Sequence, residues 1–188
     1  MKKILSFLLI AFMAIGVNAG NGNKTVTGGP YKVGDYYNDG AKEGIVFVVY
    51  NGGYHGKIVS VDESYEQWAV DDVFRTYVRA ISEDGGLTNM RKIMKQPNWK
   101  KNYPAIAWCA SLGEGWYLPA LDELKLIFKN KNIINRKLNS KGYAGIHGGD
   151  YWSSTEEANH RVWITNELDS PNGYPKNYEM HVRAVSAF

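Results

Sequence analysis

Few residues in this sequence could do chemistry: four histidines, one cysteine, two adjacent serines and scattered aspartates. His55, His147, His160 and His181 show neither the HxxxH nor the HxH spacing that brings two imidazoles to one zinc ion, so no metal is expected from them. Asp71, Asp72, Asp84 and Asp150 could offer oxygen ligands to calcium, but no EF-hand pattern frames them. Cys109 shares a helical face with Ile106 and Ala110, which marks it as a small buried hydrophobe rather than a nucleophile. Ser153 and Ser154 sit between Trp152 and Thr155 with no nucleophile elbow and no assigned base. Gly113-Glu114-Gly115 lacks the further glycine and the preceding strand of a phosphate-binding turn. No catalytic residue and no cofactor is therefore expected. One enzymatic alternative remains, a hydrolase or modifying enzyme using Asp150 with His147 or His160, and it requires a perturbed ionisable pair inside a pocket.

Binding chemistry is better represented. A ring covers the apolar face of a sugar or polar peptide while amides and charges satisfy its polar groups. Residues 146–152 (IHGGDYW) and 168–178 (LDSPNGYPKNY) have that composition. The candidate ligand-binding residues are Asn172, Tyr174, Lys176, Asn177 and Tyr178 in the longer loop, with His147 and Asp150 in the shorter one, because loops on a rigid scaffold carry function. Trp152 and Trp163 are expected in the core.

The elements that must position these loops can be read from pattern. Residues 44–50 (GIVFVVY) and 57–61 (KIVSV) are strands of a hairpin turned by Asn51-Gly52-Gly53. Residues 62–68 suggest a helical turn. Thr88 or Asn89 would cap a short helix through Met94, stopped by Pro97. A helix begins at Pro104 and is closed by Gly113, and a second carries Leu121, Leu124, Ile127 and Phe128 at helical period. Asn132 would cap a further turn through Leu138, closed by Gly142. Strands are expected over 150–153, 161–166 and 180–185. A hairpin, then helices, then strands makes an α+β domain whose two ends can share a sheet.

At the N-terminus, Lys2 and Lys3 precede an apolar run to Val17 and small residues at Val17-Asn18-Ala19. This is the form of a secretory signal peptide spanning 1–19, too short to be read as a membrane anchor, so no stable anchor is expected after cleavage. Residues 20–30 form a flexible leader and 31–188 a single domain. Removing the signal leaves 20 basic and 19 acidic residues, a balance that gives no case for nucleic acid. One cysteine allows no intrachain disulfide.

Tyr103-Pro104-Ala105, Trp108-Cys109, Trp116-Tyr117-Leu118-Pro119-Ala120, Glu123-Leu124, Tyr151-Trp152-Ser153-Ser154-Thr155-Glu156 and Val182-Arg183-Ala184-Val185 occur in that order. Together with Val33-Gly34-Asp35-Tyr36-Tyr37 and residues 55–60 (HGKIVS), the succession resembles the Lcl C-terminal-like family of secreted bacterial modules. The resemblance covers about Tyr31 to Phe188 and implies a C-type-lectin-like fold with paired terminal strands, two main flanking helices and long loops. It also implies that WYLP opens the second helix and that YWSST and VRAV are central strands. Trp152 would pack, Ser153 to Thr155 would bond loop backbone, and Arg183 would pair internally. The calcium-dependent sugar motifs of true C-type lectins are absent, as is the cysteine pair of the oxygen-dependent formylglycine-generating enzymes. The leading expectation is a secreted, non-enzymatic binding module of the periplasm or cell exterior, recognising a glycan or protein ligand through its loops. A structural subunit of a bacterial surface assembly is the further alternative.

Overall fold

The computed structural model describes residues 28–188 except 167, 169 and 170. The expected signal peptide and the leader up to residue 27 lie outside the described residues. The described chain is mixed α+β, with two largely antiparallel sheets and five helices.

The first sheet has the order β1-β2-β3-β9, built from β1 (Tyr36–Asn38), β2 (Glu43–Tyr50), β3 (His55–Ser60) and β9 (Val185–Ala187). The expected hairpin is its centre, turned by a 3-10 turn over Asn51–Gly53 in which Gly52 adopts φ 67°. Both described ends of the chain lie in this sheet, at opposite edges. They meet through side chains, because the Phe188 ring packs on Tyr31 and Tyr37.

The second sheet has the order β4-β8-β5-β6-β7, from β4 (Ser64–Gln67), β8 (Glu179–Val182), β5 (Tyr151–Ala158), β6 (Arg161–Thr165) and β7 (Asn172–Pro175). Among the described residues only β5 and β8 pair in parallel, at Tyr151 and His181. The chain passes between sheets twice, from β3 to β4 and from β8 to β9. The VRAV segment is therefore a crossing rather than one central strand: Val182 ends β8, Val185 begins β9, and Arg183-Ala184 spans the gap. YWSST does lie in the central strand, β5.

Five helices cover the sheets: α1 (Gly86–Ile93), α2 (Trp99–Asn102), α3 (Pro104–Ser111), α4 (Leu121–Lys129) and α5 (Lys131–Ser140). Helix α3 packs on β4, α1 on β5, α4 on β5 and β6, and α5 on β2. Pro104 opens α3, where its missing N–H costs nothing. Glu123 reaches back to the Ala120 N–H at 2.8 Å, one half of a capping box at the start of α4. The same carboxylate accepts from the Tyr117 hydroxyl and the Gly86 N–H and pairs with Lys57, tying β3, α1 and the WYLP entry to α4. Gly86 is required there, since a Cβ would stand 2.6 Å from both Glu123 Oε2 and the Leu118 carbonyl.

Trp68 and Trp152 are fully buried, each worth about 1.5–3 kcal/mol or more by area. Their indole N–H groups donate to the Ser153 and Glu66 carbonyls, so neither buries an unmet donor. Trp163 is only half-buried. Cys109 is fully buried, and burial pushes its thiol well above the ordinary range, consistent with packing rather than reactivity.

Four local expectations differ, one of them at α5, where Asn130 rather than Asn132 stands at the N-cap position and Asn132 lies inside the helix. Residues 64–67 form strand β4 rather than a helical turn, because they are held as a ladder against β8. Helix α1 starts at Gly86. Asn89 is no cap: it is buried and bonds both backbone groups of Ser82. The expected 168–178 loop contains strand β7, which pairs with β6.

Candidate functional site

The two sheet crossings meet at one carboxylate. Glu63, just ahead of β4, accepts from Arg183 Nε at 2.8 Å and from the Tyr151 hydroxyl at 2.6 Å, both on Oε2. Its other oxygen lies 2.9 Å from His181 Nδ1 and 3.6 Å from His147 Nε2. All three Arg183 side-chain nitrogens are engaged, since its guanidinium also donates to the carbonyls of Ser60, Val61 and Ala144. The result is a charge-assisted clamp across both crossings and the 144–150 loop. Burial, followed by the bond to Glu63, raises the Tyr151 hydroxyl far above its ordinary range, so it stays a donor.

Outward from this clamp the groups become exposed. The His181 ring stacks on Tyr151 at 5.0 Å and on His147 at 5.3 Å, and Tyr65 meets it edge-on at 5.1 Å. The side chains of His147 and His181 are 59% and 29% exposed, and Tyr65 is 56% exposed, so this shelf of rings faces solvent over a rigid floor. At the other end of β4, Gln67 donates to the Asn177 carbonyl, and Tyr174 and Tyr178 form an edge-to-face pair at 5.1 Å. These are surfaces for contact. Among the described residues no group of three or more His, Cys, Asp and Glu side chains could hold a metal ion.

The candidate residues from sequence divide accordingly. His147 joins the shelf. Asp150 lies beside it, but its carboxylate accepts from Asn166 at 2.8 Å. Among the described residues no hydrogen bond or ion pair joins Asp150 to His147 or His160; the carboxylate near His147 is Glu63. Tyr174, Asn177 and Tyr178 come together, with Asn177 donating to Asp71, while Asn172 is exposed on β7.

Lys176 departs from the expected loop-contact role. It is wholly buried, bonded to Glu156 Oε1 and to the carbonyls of Thr76 and Asn159, with its ammonium 4.8 Å from the Trp68 ring. Desolvation lowers its pKa, and Glu156 opposes that shift. Loop composition carried no sign of this, because the partners lie far away in sequence. Glu63, Tyr65, Tyr151 and His181 were missed for the same reason.

No family model matches the chain, and no curated protein matches it. Among solved structures, the fold is similar to that of a fimbrial protein from Bacteroides ovatus ATCC 8483, with a TM-score of 0.64 at 16% identity. The match covers 84% of this chain and 49% of that one, so this chain spans about half the length of its structural neighbour. The likeness is one of fold. No helix among the described residues is long and apolar enough to cross a membrane.

Proposed function

We propose that the protein is an exported, non-catalytic module of a bacterial surface assembly, built on a C-type-lectin-like scaffold of the Lcl C-terminal-like kind. The observation that carries this reading is the fold shared over most of the chain with a fimbrial protein. The clamps at Glu63, Glu123 and Glu156 suit it, because each spends its charge on holding segments together rather than on an open reaction centre. Antibody labelling of intact host cells tests it. Surface labelling without permeabilisation is expected, and signal only after lysis would contradict the reading.

A second role is favoured by the exposed rings of Tyr65 and His147 beside partly buried Glu63: recognition of a glycan or protein ligand on that shelf. In a glycan-array and pull-down screen, Tyr65→Ala and His147→Ala should each weaken any specific capture. Capture unaffected by both variants would remove the shelf from the account.

A further inference from the structure

Overall charge balance conceals a local asymmetry. Residues 85–113 contain five lysines and arginines and no carboxylate. All five lie between Arg91 and Lys101, at the end of α1, in the turn after it and on α2. Arg91, Lys95, Lys100 and Lys101 are exposed, and none has a carboxylate partner among the described residues. Lys92 donates to the Arg79 carbonyl at 2.8 Å, which brings the segment carrying Arg79 and Ile81 against α1. The carboxylates of Glu83 and Asp84 lie at the opposite end of α1. Asp71 and Asp72 follow Val70, which bonds the Asn102 carbonyl, but Asp71 is engaged by Asn177.

Apolar groups accompany these cations: Met94 and Trp99 stand among them in sequence, and Ile81 follows Arg79, whose carbonyl Lys92 bonds. Ile81 is 54% exposed and Met94 37% exposed, and the half-buried Trp99 ring lies under Lys100 at 5.7 Å. A polyanion in solution offers nothing to exposed isoleucine and methionine side chains. The interface of an anionic bilayer satisfies both sets at once: headgroup phosphates meet the ammonium and guanidinium groups, apolar side chains enter the acyl boundary, and tryptophan sits at headgroup level.

We infer that the α1–α2 face is a peripheral docking surface for a bilayer bearing anionic phosphate headgroups. This goes beyond the surface-assembly reading: it says which face is turned to the membrane, and it stands or falls separately from whether the chain joins a filament.

The protein in its exported form is sedimented with vesicles of phosphatidylcholine alone and with vesicles containing roughly one-third phosphatidylglycerol. Binding is expected only to the anionic vesicles, falling as salt approaches about 0.5 M. The variant Arg91→Gln/Lys95→Gln/Lys100→Gln/Lys101→Gln should partition at least about tenfold less. Ile81→Ser/Met94→Ser should also weaken partitioning, by a smaller factor and with the salt dependence retained. Because these side chains are exposed, unchanged far-ultraviolet circular dichroism confirms that each variant is folded. No binding to anionic vesicles, equal binding to neutral ones, or equal binding by the charge variant would overturn the inference. So would retention on heparin or DNA that the charge variant loses while vesicles are ignored, since that result points to a soluble polyanion.

Discussion

Two carboxylates, one buried and one partly buried, hold this molecule together in contrasting surroundings. Glu156 and Lys176 are both wholly buried, and Glu156 also accepts from the Val78 and Ala80 N–H groups, so the pair fixes an irregular stretch to β5 and to the turn after β7. Glu63 and Arg183 perform a similar mechanical task at the sheet crossings, but the cluster opens outward through His181, His147 and Tyr65. The sealed pair can contribute only to structure. The open one offers solvent a set of rings held from behind, which is how a scaffold presents a contact surface without moving.

Breaking each node separates these roles. Glu156→Gln or Lys176→Met leaves one member of a desolvated pair alone and should cost about 3–5 kcal/mol, while the double variant should lose less than the two single losses combined. Urea unfolding of all three reads this directly. Glu63→Ala removes acceptors from Arg183 and Tyr151 and should cost about 2–3 kcal/mol. Its distinctive mark is faster amide exchange at both sheet crossings, with the Glu156 region unaffected.

Alkaline titration reaches a third region. Burial, then its bond to Asp39, pushes the Tyr37 hydroxyl up to about 12, and the bond from Tyr143 to Glu43, then burial, pushes that hydroxyl also up to about 12. Folded values above the ordinary 10.0 mean that this stabilisation is complete below pH 10 and is lost as pH rises toward 12. Ultraviolet phenolate absorbance should show Tyr37 and Tyr143 among the late-ionising tyrosines, and Glu43→Gln should bring Tyr143 down while leaving Tyr37 in place. The smallest effect belongs to the shelf. His147→Ala should change stability by no more than about 0.5 kcal/mol, because its ring is largely exposed and Glu63 retains its other donors. A large loss would show that the shelf is structural.

Local pattern accounted for much of the frame. The 44–61 hairpin, the helix opened by Pro104, the helix carrying Leu121 to Phe128 and the burial of Cys109 each follow from turn chemistry or period within a short window. What pattern could not supply was set by distant partners. Ser64 to Gln67 become a strand only against β8, more than a hundred residues away. Lys176 stands among loop-forming residues, yet its burial depends on Glu156, Thr76 and Trp68. Glu63 lies in an unremarkable DES triplet whose importance comes from Tyr151, His181 and Arg183. His147 was legible as a candidate because of its loop, but its carboxylate neighbour was not.

Membership of a bacterial surface assembly is tested most directly by the protein content of filaments sheared from intact host cells and separated by size without detergent. This chain is expected to elute with the high-mass filament fraction and to be released from it only by dissociating agents. Recovery solely as a free species of monomer mass, with the filament fraction devoid of it, would contradict the claim.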